Sequence, residues 1–284
     1  MAFVMNRREA VRTIGVGGAA LLAGLRARPA AASGLSLQEV KGSGKLRIGV
    51  EAAYVPFTFR KDGKIIGYDI DLADVICEDL GVKPEIIDTA WTGVIPSLYA
   101  KKFDMIMTSL SYTAERMQRV GYSIPYAEAS QAMLIRASDA GTLKTTDDLV
   151  GKVVATKLGT PSELIAKKIE ADLKARKGAG FGEVKVFNDD PPRYLSLAQG
   201  KVDAVFNTLP TLAIVMKDAA GKFAIVRGIG ADNWAGLAVR KEDTELVDFL
   251  NAEIRKLKAN EAIYKLQEKW FGFRMNLPDK LPTF

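Results

Sequence analysis

The sequence predicts an α/β protein whose mainly parallel sheets are covered by helices. Two observations carry that prediction. Short apolar runs alternate with helix-spaced segments from Lys45 onward, and the same alternation starts afresh at Gly151. A chain of 284 residues is long enough for one large domain or for two lobes, each with its own core.

The first 32 residues read as an address rather than as fold. Asn6-Arg7-Arg8-Glu9-Ala10-Val11-Arg12 resembles a twin-arginine export pattern. An apolar stretch from Ile14 to Leu25 follows, too short to span a bilayer and suited to a signal peptide. Ala30-Ala31-Ala32 fits the small-residue cleavage rule, so a mature chain beginning near Ser33 in the periplasm is expected. Arginine pairs also occur in general-secretion signals, so the export route stays open between the two.

After a short polar linker, Lys45–Val50 reads as the first strand and Glu51–Phe57 as the loop after it. Lys61-Asp62-Gly63-Lys64 is a turn between short strands. Gly67–Leu72 leads into a helix whose apolar positions Leu72, Val75, Ile76 and Leu80 recur at helical spacing, with Gly81 as its cap. Pro84–Asp88 reads as a strand, Trp91 as part of the loop after it, and Pro96–Ala100 as a short helix. In the middle of the chain, Gly151–Thr156 is a strand, and Thr160-Pro161-Ser162-Glu163 opens a long helix. Thr160 and Glu163 have capping-box spacing, and Pro161 suits the first helical position. Val184–Phe187, Val202–Asn207, Phe223–Val226 and Gly236–Val239 are the later strands. Helices are expected over Pro192–Gly200, from Leu209, and twice after Thr244.

Composition excludes several functions. Apolar residues at 48% and charged residues at 26% fit a soluble globular protein. Of the net charge of +6, most comes from five arginines against Glu9 in the first 32 residues. The remainder, 35 basic and 33 acidic residues, is balanced, which argues against a nucleic-acid partner. The chain has no histidine, so Ser-His-Asp and Cys-His catalysis and His-ligated metal sites are excluded. Cys77 has no partner for an internal disulfide and falls on the apolar side of its helix, where it reads as packing. No cofactor is called for.

Phe103–Arg116 is the stretch richest in chemistry. An apolar strand runs out into Thr108, Ser109 and Ser111, Thr113 can cap the next helix, and Arg116 falls in that helix's first turn. Free N–H groups and the helix dipole favour an anion there. A cation in that turn is normally unfavourable, so the arginine suggests a carboxylate or phosphate partner. By itself the stretch leaves a solvated arginine beside ordinary strand-end serines equally open. The helix start at Thr160 is a second possible anion site. In parallel sheets, ligands gather at the carboxyl ends of strands, and Glu51, Tyr54, Trp91 and Thr108–Ser111 all follow strands.

Taken together, these motifs resemble the bacterial extracytoplasmic solute-binding proteins of the polar amino-acid family, soluble receptors of ABC importers. The resemblance rests on Gly67–Cys77, the Glu51–Phe57 loop, Gly93–Leu98, Thr108–Arg116, Leu158–Thr160 and Glu268–Gly272, in the family's order, and covers about Lys45 to Phe273. It implies a two-lobed fold of the type II periplasmic-binding-protein kind with a two-strand hinge, near Ala127–Leu134 and Trp234–Val239. Residues 33–126 and 236–284 would form one lobe and 127–235 the other. The expected function is binding without chemistry: a monomer that takes a small carboxylate-bearing solute in the cleft and delivers it to an ABC permease.

By the same resemblance, Arg116 would clamp the ligand's carboxylate, helped by Ser109, Ser111 and nearby N–H groups, with Thr108 beside them. Tyr54 and Trp91 would sandwich the ligand's side chain, although each also fits as an ordinary core aromatic. Glu51 would face the distal end of the ligand, or sit as a solvated loop glutamate. Two positions depart from the family pattern. Thr208 stands where an aspartate usually meets the α-ammonium, and Pro161, which lacks an N–H, follows Thr160. Ser162 can offer its N–H or hydroxyl instead. The ligand is therefore either an ordinary amino acid held differently, with Glu51 taking the ammonium, or an amine-poor or modified carboxylate. Some relatives are cyclohexadienyl dehydratases, which makes an enzyme with Glu51 as the acid the alternative.

Overall fold

Strand β1 (Lys45–Val50) is the axis of the first sheet, paired in parallel with β5 (Lys83–Asp88) from Lys45↔Lys83 to Val50↔Asp88. The computed structural model describes residues 34–283; the expected export leader, residues 1–32, lies outside them. Between β1 and β5 the chain forms the small antiparallel sheet of β2 (Ala53–Tyr54), β3 (Thr58–Lys61) and β4 (Lys64–Ile66), then helix α2 (Tyr68–Leu80). Ahead of them lies α1 (Leu37–Ser43), where a polar linker was expected. Its Ser36 and Glu39 form a reciprocal capping box, enough to start a short helix that buries Val40.

The first half continues through α3 (Val94–Tyr99), β6 (Met105–Ile106), α4 (Ala114–Arg119), β7 (Gly121–Tyr122) and β8 (Ala127–Glu128). The second contains β9 (Gln131–Arg136), β10 (Val153–Lys157), α5 (Pro161–Lys177), β11 (Glu183–Phe187), α6 (Asp190–Ala198), β12 (Ala204–Thr208), α7 (Leu209–Asp218) and β13 (Phe223–Val226). The chain then returns through β14 (Trp234–Ala235) and β15 (Ala238–Val239) to α8 (Thr244–Ala259) and α9 (Ala262–Phe271).

Two five-stranded sheets result, ordered β5-β1-β6-β15-β7 and β11-β10-β12-β9-β13. Each has three adjacent parallel strands, then one strand of opposite direction (β15 or β9), then an edge strand antiparallel to that one, as expected for a two-lobed type II fold. Antiparallel β8 and β14 form a separate pair where the chain passes between the sheets. The strand period explains the layering. In the second sheet, Val154, Ala204, Phe206, Met133 and Ile135 join one core cluster. Their neighbours Ala155, Val205, Ala132 and Leu134 join the other. The first sheet divides in the same way, with Met105 on one face and Ile106 on the other. Leu250 and Ile254 of α8 and Ile263 of α9 share a cluster with Leu46 and Ile48, so the C-terminal helices cover the first sheet.

Local chemistry sets the helix ends. Gly67 precedes α2 at φ +140°, and a Cβ there would lie 2.1 Å from the carbonyl oxygen of Phe57, so only glycine lets this backbone approach. Cys77 is fully buried on α2, and burial pushes its thiol up to about 12. Thr113 caps α4 by accepting from the Arg116 N–H at 3.1 Å, as the spacing predicts. The expected Thr160–Glu163 capping box does not form. Thr160 Oγ1 donates to the carbonyl of Lys157 at 2.7 Å, while Glu163 accepts from the Gly159 N–H at 2.8 Å and pairs with Lys167. Helix α6 begins at Asp190, two residues earlier than expected.

Candidate functional site

The carboxyl ends of the parallel strands of both sheets meet at one small cavity. From the first half come Glu51 after β1, Tyr54 in β2, Trp91 after β5, and Ser109 and Ser111 after β6. From the second come Lys157 ending β10, the Thr160-Pro161-Ser162 start of α5, Asp190 at the start of α6, Asn207 and Thr208 ending β12, and Gln131 opening β9. The cavity volume is about 30 Å³. That suits a water or two and is roughly a fifth of an engineered cavity that admits benzene.

A buried charge cluster fills the centre. Lys157 Nζ lies 2.6 Å from Glu51 Oε1 and 3.2 Å from Asp190 Oδ2, and all three side chains are buried. Asp190 also accepts from Arg193 and from Asn207 Nδ2, the latter at 2.9 Å. Arg193, itself buried, donates to the carbonyl of Phe206 at 2.8 Å. Burial raises the Glu51 carboxyl above its ordinary range against the pull of Lys157. Burial works the same way on Asp190, but the charges of Arg193 and Lys157 outweigh it and hold that carboxyl low.

The aromatic residues face this cluster. Lys157 Nζ lies 5.7 Å from the centroid of both the Tyr54 and the Trp91 rings. The Tyr54 hydroxyl is 2.9 Å from Thr208 Oγ1, which is also 3.1 Å from Thr211 Oγ1. Both rings line the cavity, and a lysine of the chain itself lies equally close to each.

Arg116 is buried, with its guanidinium 4.9 Å from the Trp91 ring centroid. It donates to the carbonyls of Ser111 at 3.0 Å and of Gly159 at 2.8 Å. Among the described residues no carboxylate stands within 4.0 Å of it. Burial lowers its pKa, the mark of a desolvated cation without a counter-charge. Ser109 Oγ is buried at the cavity without a hydrogen-bond partner. Ser109 adopts φ +47°, and its N–H donates to the Tyr126 hydroxyl at 2.8 Å. That hydroxyl donates to Asp69 Oδ1 at 2.9 Å, while Thr58 Oγ1 donates to Asp69 Oδ2 at 3.1 Å. A buried carboxyl from the start of α2 thus braces the serine loop.

Other residues stand apart from the expectation. Thr108 is outside the cavity lining; its hydroxyl accepts from the Glu51 N–H at 3.2 Å and so positions the loop after β1. Ser162 lines the cavity, but its hydroxyl donates to Gln131 Oε1 at 2.7 Å. Lys157, Asp190, Asn207, Gln131 and Arg193 were missed by the sequence reading. Lys157 had a legible signal, because it ends an apolar strand just as Glu51 follows one.

Residues 46–273 match the profile of the bacterial extracellular solute-binding proteins, family 3. The chain belongs to that family. Among its relatives is the L-cystine-binding protein TcyJ of Escherichia coli K12, 31% identical over 91% of this chain and 94% of that protein. The L-arginine-binding protein of Pseudomonas aeruginosa is 32% identical over 86% and 94%, respectively. Solved structures agree. The ancestral amino acid-binding protein AncCDT-1, a precursor of cyclohexadienyl dehydratase, matches with TM-score 0.74 and 33% identity over 83% of this chain and 99% of that one. An ancestral arginine-binding protein bound to arginine matches with TM-score 0.72 and 36% identity over 81% and 99%. The named relatives of this family 3 protein are binding proteins rather than enzymes.

Proposed function

We propose that this family 3 protein is the extracytoplasmic receptor of an ABC importer and binds a small carboxylate-bearing solute, an amino acid or modified amino acid, in the cleft between its sheets. The observation that carries the reading is Arg116: a buried guanidinium that meets only carbonyls and lies behind the Trp91 ring of the cavity wall, a wall that also carries the unpartnered Ser109 hydroxyl. A carboxylate entering there would supply the missing counter-charge through a desolvated, charge-assisted pair. Thr208 offers hydrogen bonds but no charge to an α-ammonium. The named relatives, which bind cystine, arginine and histidine, support an amino-acid ligand.

The same reading assigns residues 1–32 to an export signal of twin-arginine or general-secretion type, with cleavage near Ala32 and a monomeric periplasmic product. It assigns 33–126 and 236–284 to one lobe and 127–235 to the other, with β8 and β14 as the hinge. No helix among the described residues is long and apolar enough to cross a membrane.

The test is a thermal-shift screen of the chain from Ser33 onward against amino acids, their deaminated and N-methylated analogues, and prephenate. A ligand that binds only the folded state raises the melting point. The expected result is at least one carboxylate hit that vanishes in Arg116→Ala, a loss on the order of 3–5 kcal/mol of binding. Retained binding in Arg116→Ala would refute the clamp, and turnover of prephenate would replace the receptor with a dehydratase.

A further inference from the structure

Two carboxylates facing each other beside two aromatic rings make a site for a cation. Glu51 comes from the first half of the chain and Asp190 from the second, and Tyr54 and Trp91 flank them. In this protein the cation is already present. Lys157 reaches both carboxylates, at 2.6 Å and 3.2 Å, with its side chain only 4% exposed.

We propose that Lys157 is the specificity-determining residue of the cleft: its ammonium occupies the place of a cationic ligand side chain, so the receptor selects solutes whose distal group is uncharged and rejects arginine and lysine. The proposal rests on the receptor reading above and names the class of ligand for that site.

Charge count leads there. Glu51 and Asp190 are balanced by Lys157 and Arg193, so the cluster is neutral as built. A guanidinium or ammonium from the ligand would add a third cation to two carboxylates. It would have to displace the Lys157 ammonium or bury an uncompensated charge, and both are costly. An amide, ureido or thioether group brings no such conflict. An amide or ureido can accept from Lys157 or donate to Glu51, and a thioether can accept weakly, each leaving the pairing intact. Relatives bearing arginine and histidine in their names share the family, so exclusion of these ligands must come from side chains such as this one rather than from the fold.

The experiment is calorimetric titration with L-arginine and L-citrulline, which have nearly the same shape but differ in charge. The wild type should favour citrulline by at least about tenfold, and Lys157→Met should move the ratio toward arginine by about a hundredfold. If the wild type takes neither, arginine binding that appears in Lys157→Met and is lost on adding Arg116→Ala supports the proposal equally. A ratio that stays within about threefold on substitution, or no arginine binding in any variant, overturns it. Should Lys157→Met fail to fold, Lys157→Gln keeps a hydrogen-bond donor at the position while removing the charge, and the same outcomes apply. A carboxylate ligand that needs Arg116 but ignores Lys157 overturns this proposal alone. Carboxylate binding that ignores Arg116 overturns the Arg116 clamp of the receptor reading instead.

Discussion

Asp69 should make the protein lose stability as pH rises from acid toward neutral. Its carboxyl is fully buried in the first turn of α2, and desolvation pushes it up to about 7 despite hydrogen bonds from Tyr126 and Thr58. In the unfolded chain it titrates near its ordinary value of 3.8. Between those values the unfolded state releases the proton and the folded state keeps it. The stabilisation is therefore complete below the unfolded pKa and is lost as pH rises through the folded one. The slope approaches about 1.4 kcal/mol per pH unit, or roughly 3 kcal/mol between about pH 4.5 and about pH 8. Asp69→Asn is neutral throughout and lacks this slope. It mismatches one of the two hydrogen bonds, at about 1–3 kcal/mol. Urea unfolding of both proteins at about pH 4.5, 6 and 8 measures the difference. The variant should start less stable and close the gap, or overtake the wild type, as pH rises. A gap constant within about 0.5 kcal/mol would mean that Asp69 is ionised in the fold, and the reasoning from burial would be wrong.

Other substitutions probe the scaffold. Gly49→Ala would set a Cβ 2.4 Å from the buried Phe103 ring, and overpacking should cost about 1–3 kcal/mol in chemical denaturation. Leu250→Ala, removing a fully buried side chain where α8 meets the first sheet, should cost about 2–5 kcal/mol and lower the melting temperature. Tyr54→Phe deletes the bond to Thr208 across the cleft while Thr211 still serves that threonine. Melting should show a loss of only about 0.5–1.5 kcal/mol.

The legible parts of the fold were those governed by local patterns. The strand at Lys45–Val50, the α2 helix with its Gly81 cap, and the Thr113 cap of α4 follow from spacing and capping chemistry and stand where expected. The Thr160–Glu163 box fails because Thr160 finds a nearer acceptor in Lys157 O and Glu163 a nearer donor in Gly159 N–H, a competition that spacing cannot rank. At the site, Glu51, Tyr54, Trp91, Ser109 and Ser111 were readable as residues that follow strands, and they do line the cavity. The partners across the cleft were not. Glu51 and Lys157 are 106 residues apart, and a salt bridge at that separation depends on how the two sheets face each other. Nothing in the strand-end glutamate alone announces that its counter-charge is already in the chain.

That counter-charge bears on how the cleft works. Polar ties among the described residues cross it, including Glu51 to Lys157, Tyr54 to Thr208, and Arg116 to the carbonyl of Gly159. Each is a hydrogen bond or ion pair whose groups water would serve nearly as well, so the closed arrangement gains little from them on balance. A ligand shifts such an equilibrium only through contacts that differ between open and closed states. A carboxylate on Arg116 is such a contact if it touches α5 as well, because it would replace the Gly159 carbonyl with a charged acceptor while joining the same two halves. Removing one partner of the buried ion pair leaves the other charge undercompensated even where the pair's net worth is small, so the pair should act on closure and the arginine on affinity. Glu51→Gln weakens the tie but leaves Arg116 untouched, so small-angle scattering without ligand should show a larger radius of gyration, and saturating ligand should restore the wild-type value. Equal radii for variant and wild type without ligand would show that the ion pair does not hold the halves together.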